Sequence, residues 1–563
     1  MVRNLHTVIN NKTYRFLLLI FLLALFIRFL YFPSDIYFAY DQARDAFTSL
    51  ELMRGDLKIV GPKATFGDVH HGALFYYIFG PLYFISNGDP SLVSAFLRVY
   101  NALGAILVFL IGKYLFNKNT GLIAAFLFAV SFEQSQYSLF LGHPSMAVIA
   151  VLLFYFGLVK LIFKKDAIGI RYAFIGLALS IQFHFSMVLL VISLVVYAIL
   201  FIKAFKKVNL NNFKYAFFVF LILISSYILA ELKFNFKAVK SLERFFNVMG
   251  SGSEGLNFAN LSYITERYVS HNFYKYGNIS NLGVAVVFSI FIYLFFKKKI
   301  RKQSVFLMVW FLVSLIPYFA DRSDLPIYYY GIAGSVSLIL IVSFVLSQLM
   351  NKTRVIAAGA VFLIAASNVS LIKMYNPNGT LPEINVQDKM LLDDEKKVID
   401  YIYKSIQENP ALQGGDELNA DPLRHRFSEA SMSSFLGKPP LLRRGGRHKE
   451  AGGKEFSVYA LTNPFNINTT WSYLFEWYGE DKYGFVPVWG GETAEGFLGN
   501  IKVSDSYSEL PMLRFVIIEP TRGIPPNLIS SFKDKEDIFS EIVQEKNFGA
   551  FVVQMRLMRR NNI

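Results

Sequence analysis

Asp41 and Asp45 stand one helical turn apart with Arg44 between them. A helix beginning near Tyr40 would carry both carboxylates on one face beside the guanidinium. A carboxylate in a partly dry pocket can take the proton of an acceptor hydroxyl, and a guanidinium can hold a phosphate through two parallel hydrogen bonds. The same stretch runs on through Lys63 to His70, His71, Tyr76 and Tyr77. Paired imidazoles offer a phosphate a cationic or a hydrogen-bonding contact. A metal shared with Asp41, Asp45 or Asp68 is a weaker reading, because adjacent histidines point different ways and no HxH or HxxxH spacing occurs. No metal ligand is therefore assigned and no cofactor is required, a divalent cation staying open as an alternative. The plain alternative for the whole stretch is a solvated loop with ordinary surface charges.

What lies around this stretch makes charge costly. The 563 residues are 54% hydrophobic and only 17% charged, a balance of membrane proteins rather than soluble ones. Segments such as Phe16 to Phe32 and Val284 to Phe296 are nearly free of charge and, some with tilt, cover a hydrocarbon layer ~30 Å thick. The chain has no cysteine, which excludes disulfides, thiolate metal sites and a cysteine nucleophile. Its net charge of +15 sits largely in short lysine and arginine clusters between apolar segments, where these residues set topology rather than bind nucleic acid.

Those clusters order the chain. Arg3, Lys12 and Arg15 put the N-terminus inside, with the first segment kept as an uncleaved helix, and the stretch containing Asp41 then falls outside. Gly72 to Ser86 reads as an interfacial helix. Spans follow at Leu92 to Leu115 and Gly121 to Phe132, then a short outer loop from Glu133 to Pro144, and a span from Ser145 to Phe163. A hairpin from Arg171 to Ile202 has Gln182 and His184 at its outer tip. Tyr215 to Leu232, Leu282 to Phe296, Val305 to Ala320, Ile327 to Met350 and Val355 to Met374 complete about eleven spans, every lysine cluster landing on one side. The fold class expected is an α-helical polytopic membrane protein carrying a C-terminal extracytoplasmic α/β domain. Its parts are a transmembrane portion, 1–375, with outer loops 33–91 and 233–280, and a soluble portion, 376–563. The latter has a helical stretch at Asp388 to Ser405 and strand-like runs at Phe456 to Leu461, Arg514 to Glu519 and Gly549 to Met555. Within it 416–453, rich in Gly, Pro and Arg without apolar period, reads as a disordered insertion.

Other polar residues gather on the outer side. His143 and His184 lie at two outer tips, Gln182 beside the second. Singly each reads as a structural residue; together they could line one cavity. Arg28, Arg98 and Glu231 sit near outer ends of apolar segments, where a charge snorkels or faces a polar interior. Tyr328 to Tyr330 read as an interfacial aromatic belt rather than a sugar platform.

The order of span, outer loop with Asp41, Gln42, Ala43 and Arg44, then His71, Leu74, Tyr76 and Tyr77, then a span with an early Arg98, resembles the GT-C glycosyltransferases of the family-39 type. That family includes protein O-mannosyltransferases and the aminoarabinose transferases that modify lipid A; the segments around His143 and His184 look like those of a bacterial branch. Its pattern is Asp-Glu-x-Arg followed by His/Lys-Pro-Pro-Leu-x-Tyr-Tyr or Trp. The resemblance implies that Asp41 takes the catalytic acidic position, Arg44 a place near the donor phosphate, and His71 the His/Lys position of the same pocket. Two departures stand out: Gln42 replaces the glutamate, leaving a second carboxylate to Asp45, and Gly72 and Ala73 replace the two prolines.

These observations point to an inverting transferase in the cell membrane. It would move a sugar from a polyprenyl-phosphate donor to an acceptor hydroxyl of a lipid, glycan or protein on the outer face. Asp41 would act as base, with Asp45 in reserve, and Arg44, Lys63, His70, His71, Tyr76, Arg98, His143, Gln182, His184 and Glu231 as candidates to bind donor phosphate or substrate. The competing readings are a ligase or polymerase of lipid-linked oligosaccharides, whose Trp-Trp-Asp-Tyr-Gly motif is missing, and a transporter or envelope scaffold. A transporter should carry broken helices and mid-membrane charges in two related halves; this chain concentrates polar residues at outer ends. The topology is testable with reporter fusions: one after Lys302 is expected to report the cytoplasm and one after Asn376 the outside, and finding both on one side would refute it.

Overall fold

A computed structural model describes residues 12–64, 69–237, 239–241, 258–275, 280–320, 326–381, 384, 387–408 and 456–559. The insertion 416–453 lies outside the described residues. The chain divides into two compact units. The first comprises 1–32, 57–77 and 94–384; the second comprises 33–56, 78–93 and 385–563.

The first unit is helical. Among the described residues four helices are long and apolar enough to cross a membrane: Pro90–Leu115, His143–Phe163, Ser335–Lys352 and Arg354–Asn378. A fifth span is made if Leu210–Leu223 and Ser225–Lys233, bent by 51°, count as one. The expected count of about eleven spans is met only to that extent, because hydropathy does not see breaks. The apolar run Val305 to Ala320 is interrupted ahead of Pro317, giving helices Arg301–Leu315 and Pro317–Ala320, since proline has no N–H to continue the ladder. The hairpin Arg171 to Ile202 breaks at His184, between Gly169–Phe183 and the 3-10 turn Phe185–Leu189. His143–Phe163 and Gly169–Phe183 pack backbone to backbone. A Cβ on Gly157 would lie 2.3 Å from Ala173 N, and one on Gly176 would lie 2.3 Å from Phe154 N, the close approach that small residues allow between membrane helices.

One expectation is overturned outright. Glu133 to Pro144 does not begin as an outer loop: Phe132–Leu139 is a helix with all eight residues buried. Glu133 and Gln136 are held by neighbours. Glu133 Oε2 accepts from Asn272 Nδ2 at 2.6 Å. Gln136 donates to Asn376 Oδ1 at 2.8 Å and accepts from the Leu381 N–H at 2.8 Å. Hydropathy scored these residues as solvent-loving; the surrounding Asn and backbone groups replace the solvent.

The second unit is built on a six-stranded sheet: β1 (Ser457–Leu461), β2 (Val488–Gly490), β3 (Val503–Ser504), β4 (Leu513–Ile518), β5 (Ser540–Phe548) and β6 (Phe551–Met558). The order is β3-β2-β1-β4-β6-β5. The first four are parallel, and β6 and β5 are antiparallel. β1 and β4 are buried nearly throughout, as parallel strands covered on both faces are, whereas the edge strand β5 is exposed and carries Glu541, Glu545 and Lys546, charges that discourage edge pairing. Helix Pro526–Phe539 is clamped to β4 by a buried two-pronged ion pair, Arg514 Nε to Glu536 Oε2 and Nη2 to Oε1, each 2.7 Å. Removing one partner of such a pair costs about 3–5 kcal/mol. The expected helix and three strands are present, with the helix at Leu392–Glu408. The short β2 and β3 and the polar β5 lack the apolar alternation that reveals a strand.

A segment from early in the chain pairs with the residues that lead into helix Leu392–Glu408. Ile36 to Phe38 pair with Met390 to Leu392: the Phe38 N–H donates to the Met390 carbonyl and the Leu392 N–H to that of Ile36, each at 2.9 Å. The helix expected to begin near Tyr40 is Tyr40–Met53. Tyr473 packs on Phe38 and Phe47, ring centroids 5.4 and 5.0 Å apart.

At the end of β4 burial pushes the Glu519 carboxyl up to about 7 from its ordinary 4.5, against the opposing pull of its hydrogen bonds from Gln387, Asn463 and Trp471. The folded state therefore binds this proton more tightly than the unfolded state, and the stability it contributes, complete below about 4.5, is lost as pH rises through about 7. Unfolding of the full-length protein followed by tryptophan fluorescence should show this fall in stability between those values. Glu519→Gln should flatten part of it; an unchanged slope would show that Glu519 does not titrate there.

Candidate functional site

The carboxylate group of candidates lies in the second unit. Helix Tyr40–Met53 starts where the pairing of Ile36 to Phe38 ends, and Gln42 Oε1 accepts the Ala39 N–H at 3.2 Å. Gln42 thus closes the helix start as a glutamate at that position would, a local reason for the departure from the family pattern. Asp41 and Asp45 share Arg44: Nη1 donates to Asp41 Oδ1 at 2.6 Å, and Nε and Nη2 donate to Asp45 Oδ1 at 2.9 and 2.8 Å. The two aspartates differ in access. The Asp41 side chain is 57% exposed and that of Asp45 6%, so only Asp41 can meet a hydroxyl arriving from outside. Tyr40, stacked under Arg44 with the guanidinium carbon 5.6 Å from its ring centroid, also meets Phe497 edge-on at 5.9 Å.

The histidine group lies in the first unit. Residues 61–64 pair with 69–71, with Gly61 and His71, Pro62 and His71, and Ala64 and Val69 joined by backbone hydrogen bonds and Lys63 bridged to His70. His70 Nδ1–H donates to the Gly61 carbonyl at 3.1 Å. Next to this pairing Gly72 presses on Gln182. Its N–H donates to the Gln182 carbonyl at 3.0 Å, and a Cβ there would lie 2.1 Å from Gln182 Oε1. A proline could supply neither the space nor the N–H, which accounts for Gly72 at that position. Gln182 in turn donates through Nε2 to the Leu223 carbonyl at 2.6 Å and Ser226 Oγ at 2.8 Å, satisfying the backbone where the helix pair 210–233 bends.

This arrangement brings together three imidazoles that are far apart in sequence. The ring of His71 lies 4.2 Å from that of His143 and 4.6 Å from that of His184, with His143 and His184 5.7 Å apart. His71 Nδ1 accepts the Phe185 N–H at 3.1 Å. A backbone N–H can only donate, so His71 is the neutral tautomer with its proton on Nε2. Of the cationic and hydrogen-bonding contacts open in the sequence, the geometry selects the second. His184, in the turn between two helices, is 1% exposed and pairs Nδ1 with Ser186 Oγ at 2.7 Å. Its Nε2 has no hydrogen-bond partner among the described residues, and burial pushes its pKa down to about 3. His143 opens helix His143–Phe163 with Pro144 behind it. Among the described residues no group of three His, Cys, Asp or Glu is placed to hold a metal ion.

Tyr329 and Tyr330, expected in an aromatic belt, pack on His184 at 5.3 and 6.0 Å. The turn that carries them, Tyr328–Gly331, is held from behind by residues that sequence reasoning did not single out. Arg267 Nη2 donates to the Tyr328 carbonyl at 2.9 Å and Tyr268 Oη to that of Gly331 at 2.7 Å. Arg267 is buried, with its guanidinium carbon 4.1 Å from the Tyr328 ring centroid. An arginine among the aromatics of 258–275, in the helix Phe258–Ser270, was the only signal. The remaining candidates stand elsewhere. Arg98 Nη1 donates to the Arg28 carbonyl at 2.5 Å, ending the first helix. Arg28 itself bonds Asn101 Oδ1 at 2.7 Å and the Ala24 and Ala129 carbonyls at 3.0 and 3.1 Å. Glu231 accepts the Val239 N–H at 3.3 Å. Tyr76 is buried against Phe75, whose other neighbour is His143.

No protein-family model matches the chain, and no curated protein matches it in sequence. Solved structures do. ArnT from Cupriavidus metallidurans bound to undecaprenyl phosphate superposes with a TM-score of 0.55 at 11% identity, covering 96% of this chain and 97% of that one. The same protein in the apo state gives 0.56 at 10% identity, covering 97% and 98%. The oligosaccharyltransferase AglB from Archaeoglobus fulgidus, in complex with an inhibitory peptide and a dolichol-phosphate, gives 0.50 at 12% identity, covering 98% and 74%. The chain spans 62% of the length of the Archaeoglobus fulgidus oligosaccharyltransferase in its complex with Zn and sulfate. At these identities the likeness is one of fold: the chain shares the fold of ArnT and AglB.

The contact between Gly72 and Gln182 can be tested directly. Gly72→Ala forces this segment away from Gln182, and overpacking of this kind costs about 1–3 kcal/mol. The variant should unfold at a lower temperature; an unchanged unfolding temperature would show that the segment is placed without that contact.

Proposed function

We propose that this protein is a membrane glycosyltransferase that moves a sugar from a polyprenyl-phosphate donor to an acceptor hydroxyl on the outer face of the cell membrane. The observation that carries the reading is the exposed Asp41 fixed at a helix start by Arg44, in a fold shared with ArnT. In the reaction Asp41 takes the proton of the acceptor hydroxyl, whose oxygen bonds to the anomeric carbon. The bond from that carbon to the phosphate oxygen breaks on the opposite side, inverting the centre and releasing polyprenyl phosphate. Such a step needs a base at the hydroxyl and donors at the leaving phosphate.

The group we assign to the phosphate is Arg44, whose guanidinium stands beside Asp41 in the same unit and can hold a phosphate through two parallel hydrogen bonds. No metal is required in this scheme. In the first unit an apolar cleft of about 550 Å³, lined by Leu261, Ser262, Thr265, Phe288, Leu312 and Ile316, supports a lipid-linked donor. Transfer of a lipid-linked oligosaccharide is the second reading, favoured by the likeness to AglB.

Asp41→Asn should lower the rate of transfer by about 10² to 10⁴ while leaving the protein folded and able to bind undecaprenyl phosphate. Arg44→Ala separates two roles, because a fall in rate at saturating donor marks it as the holder of Asp41, and weaker donor binding marks it as a phosphate ligand. Transfer at the wild-type rate by both Asp41→Asn and Asp45→Asn would sink the reading.

A further inference from the structure

In an open sheet of parallel strands, ligands bind outside the carboxyl ends of the strands, at the place where the strand order reverses. The order β3-β2-β1-β4 puts that reversal between β1 and β4. β1 ends at Leu461 and β4 at Ile518, and just beyond them the Asn463 N–H donates to Glu519 Oε2 at 3.1 Å. Glu519, 3% exposed, also accepts from Trp471 Nε1 and from Gln387 Nε2, each at 2.9 Å. Gln387 gives a further bond, at 2.9 Å, to the Pro520 carbonyl. The place where such a sheet ordinarily seats a ligand is thus taken by the chain's own residue.

What that residue holds is the start of the Asp41 helix. The Gln387 carbonyl accepts the Tyr37 hydroxyl at 3.2 Å. One residue on, Phe38 is paired with Met390, and two residues further Tyr40 opens the helix. Tyr37 is 2% exposed; burial, and after it the Asp41 carboxylate, hold its phenol protonated and therefore a donor. Backbone pairing alone would fix the direction of Ile36 to Phe38. The bond from Tyr37 adds the depth at which the segment sits, through Gln387, against the sheet.

We propose that the ligand crevice of this sheet has become the seat of the base: Glu519, acting through Gln387 and Tyr37, is a positioning residue that sets where Asp41 stands. The proposal rests on Asp41 being the base. A displacement of about 1 Å at a reacting group can cost on the order of 10²-fold in rate, so loosening the seat should slow transfer without touching donor affinity.

The experiment compares Tyr37→Phe, Gln387→Ala and Asp41→Asn in the full-length protein in detergent. The donor supplied is the lipid-linked sugar fraction of cells lacking the protein, and undecaprenyl phosphate is the binding probe. Tyr37→Phe and Gln387→Ala are expected to lower the rate at saturating donor by about 10-fold to 10²-fold. The donor concentration for half-maximal rate, the binding of undecaprenyl phosphate and the unfolding temperature should stay unchanged. If Gln387→Ala unfolds, Tyr37→Phe, which deletes one hydroxyl, decides alone. Wild-type rate in Tyr37→Phe with Asp41→Asn inactive overturns the positioning role and leaves the base reading standing. Transfer by Asp41→Asn overturns the base reading and this inference with it.

Discussion

Every backbone carbonyl that a broken helix frees inside an apolar unit must find a donor, because no water is there to serve. The first unit meets that constraint with long polar side chains. Gln182 reaches the Leu223 carbonyl, Arg98 that of Arg28, Arg28 those of Ala24 and Ala129, and Arg267 that of Tyr328. Three of these residues are arginines, whose charge buys several fixed donors at once. The breaks they stabilise are what let His71, His143 and His184 converge, since an unbroken helix through Gln182 to Leu190 would carry His184 along its own axis rather than into a turn.

The same constraint explains the chemical character of that cluster. His71 is fixed as a neutral donor by the Phe185 N–H, and burial keeps His184 neutral. A cationic cluster in this position would bear the cost of desolvating each charge.

Much of this was legible in the sequence, and the reasons for the rest are specific. The start of the Asp41 helix was readable because only a helix puts Asp41, Arg44 and Asp45 together on one face. The helix Phe132–Leu139 was not, because Glu133, Gln134 and Gln136 carry a surface composition and only tertiary partners such as Asn272 and Asn376 make them interior residues. Arg267 escaped notice for the same reason: its partner is a carbonyl, which leaves no trace in side-chain pattern. The pairing of Ile36 to Phe38 with Met390 to Leu392 joins segments some 350 residues apart, and a single sequence offers no local signal for such a contact.

That long-range pairing bears on how a carboxylate can be both exposed and fixed. Asp41 is open to solvent, so it is not immobilised by burial as Asp45 is. Exposed side chains on a short loop would sample many rotamers and lose the orientation on which proton transfer depends. The chain resolves this by placing the restraint one step back. Arg44 ties Asp41 to the buried Asp45, and the residues before the helix are paired with Met390 to Leu392 in a unit whose sheet carries the buried pair of Arg514 and Glu536. The order of the soluble unit is thereby lent to a carboxylate that has little packing of its own, which is a physical reason for such a unit to contain residues 33–56 as well as its own C-terminal sheet.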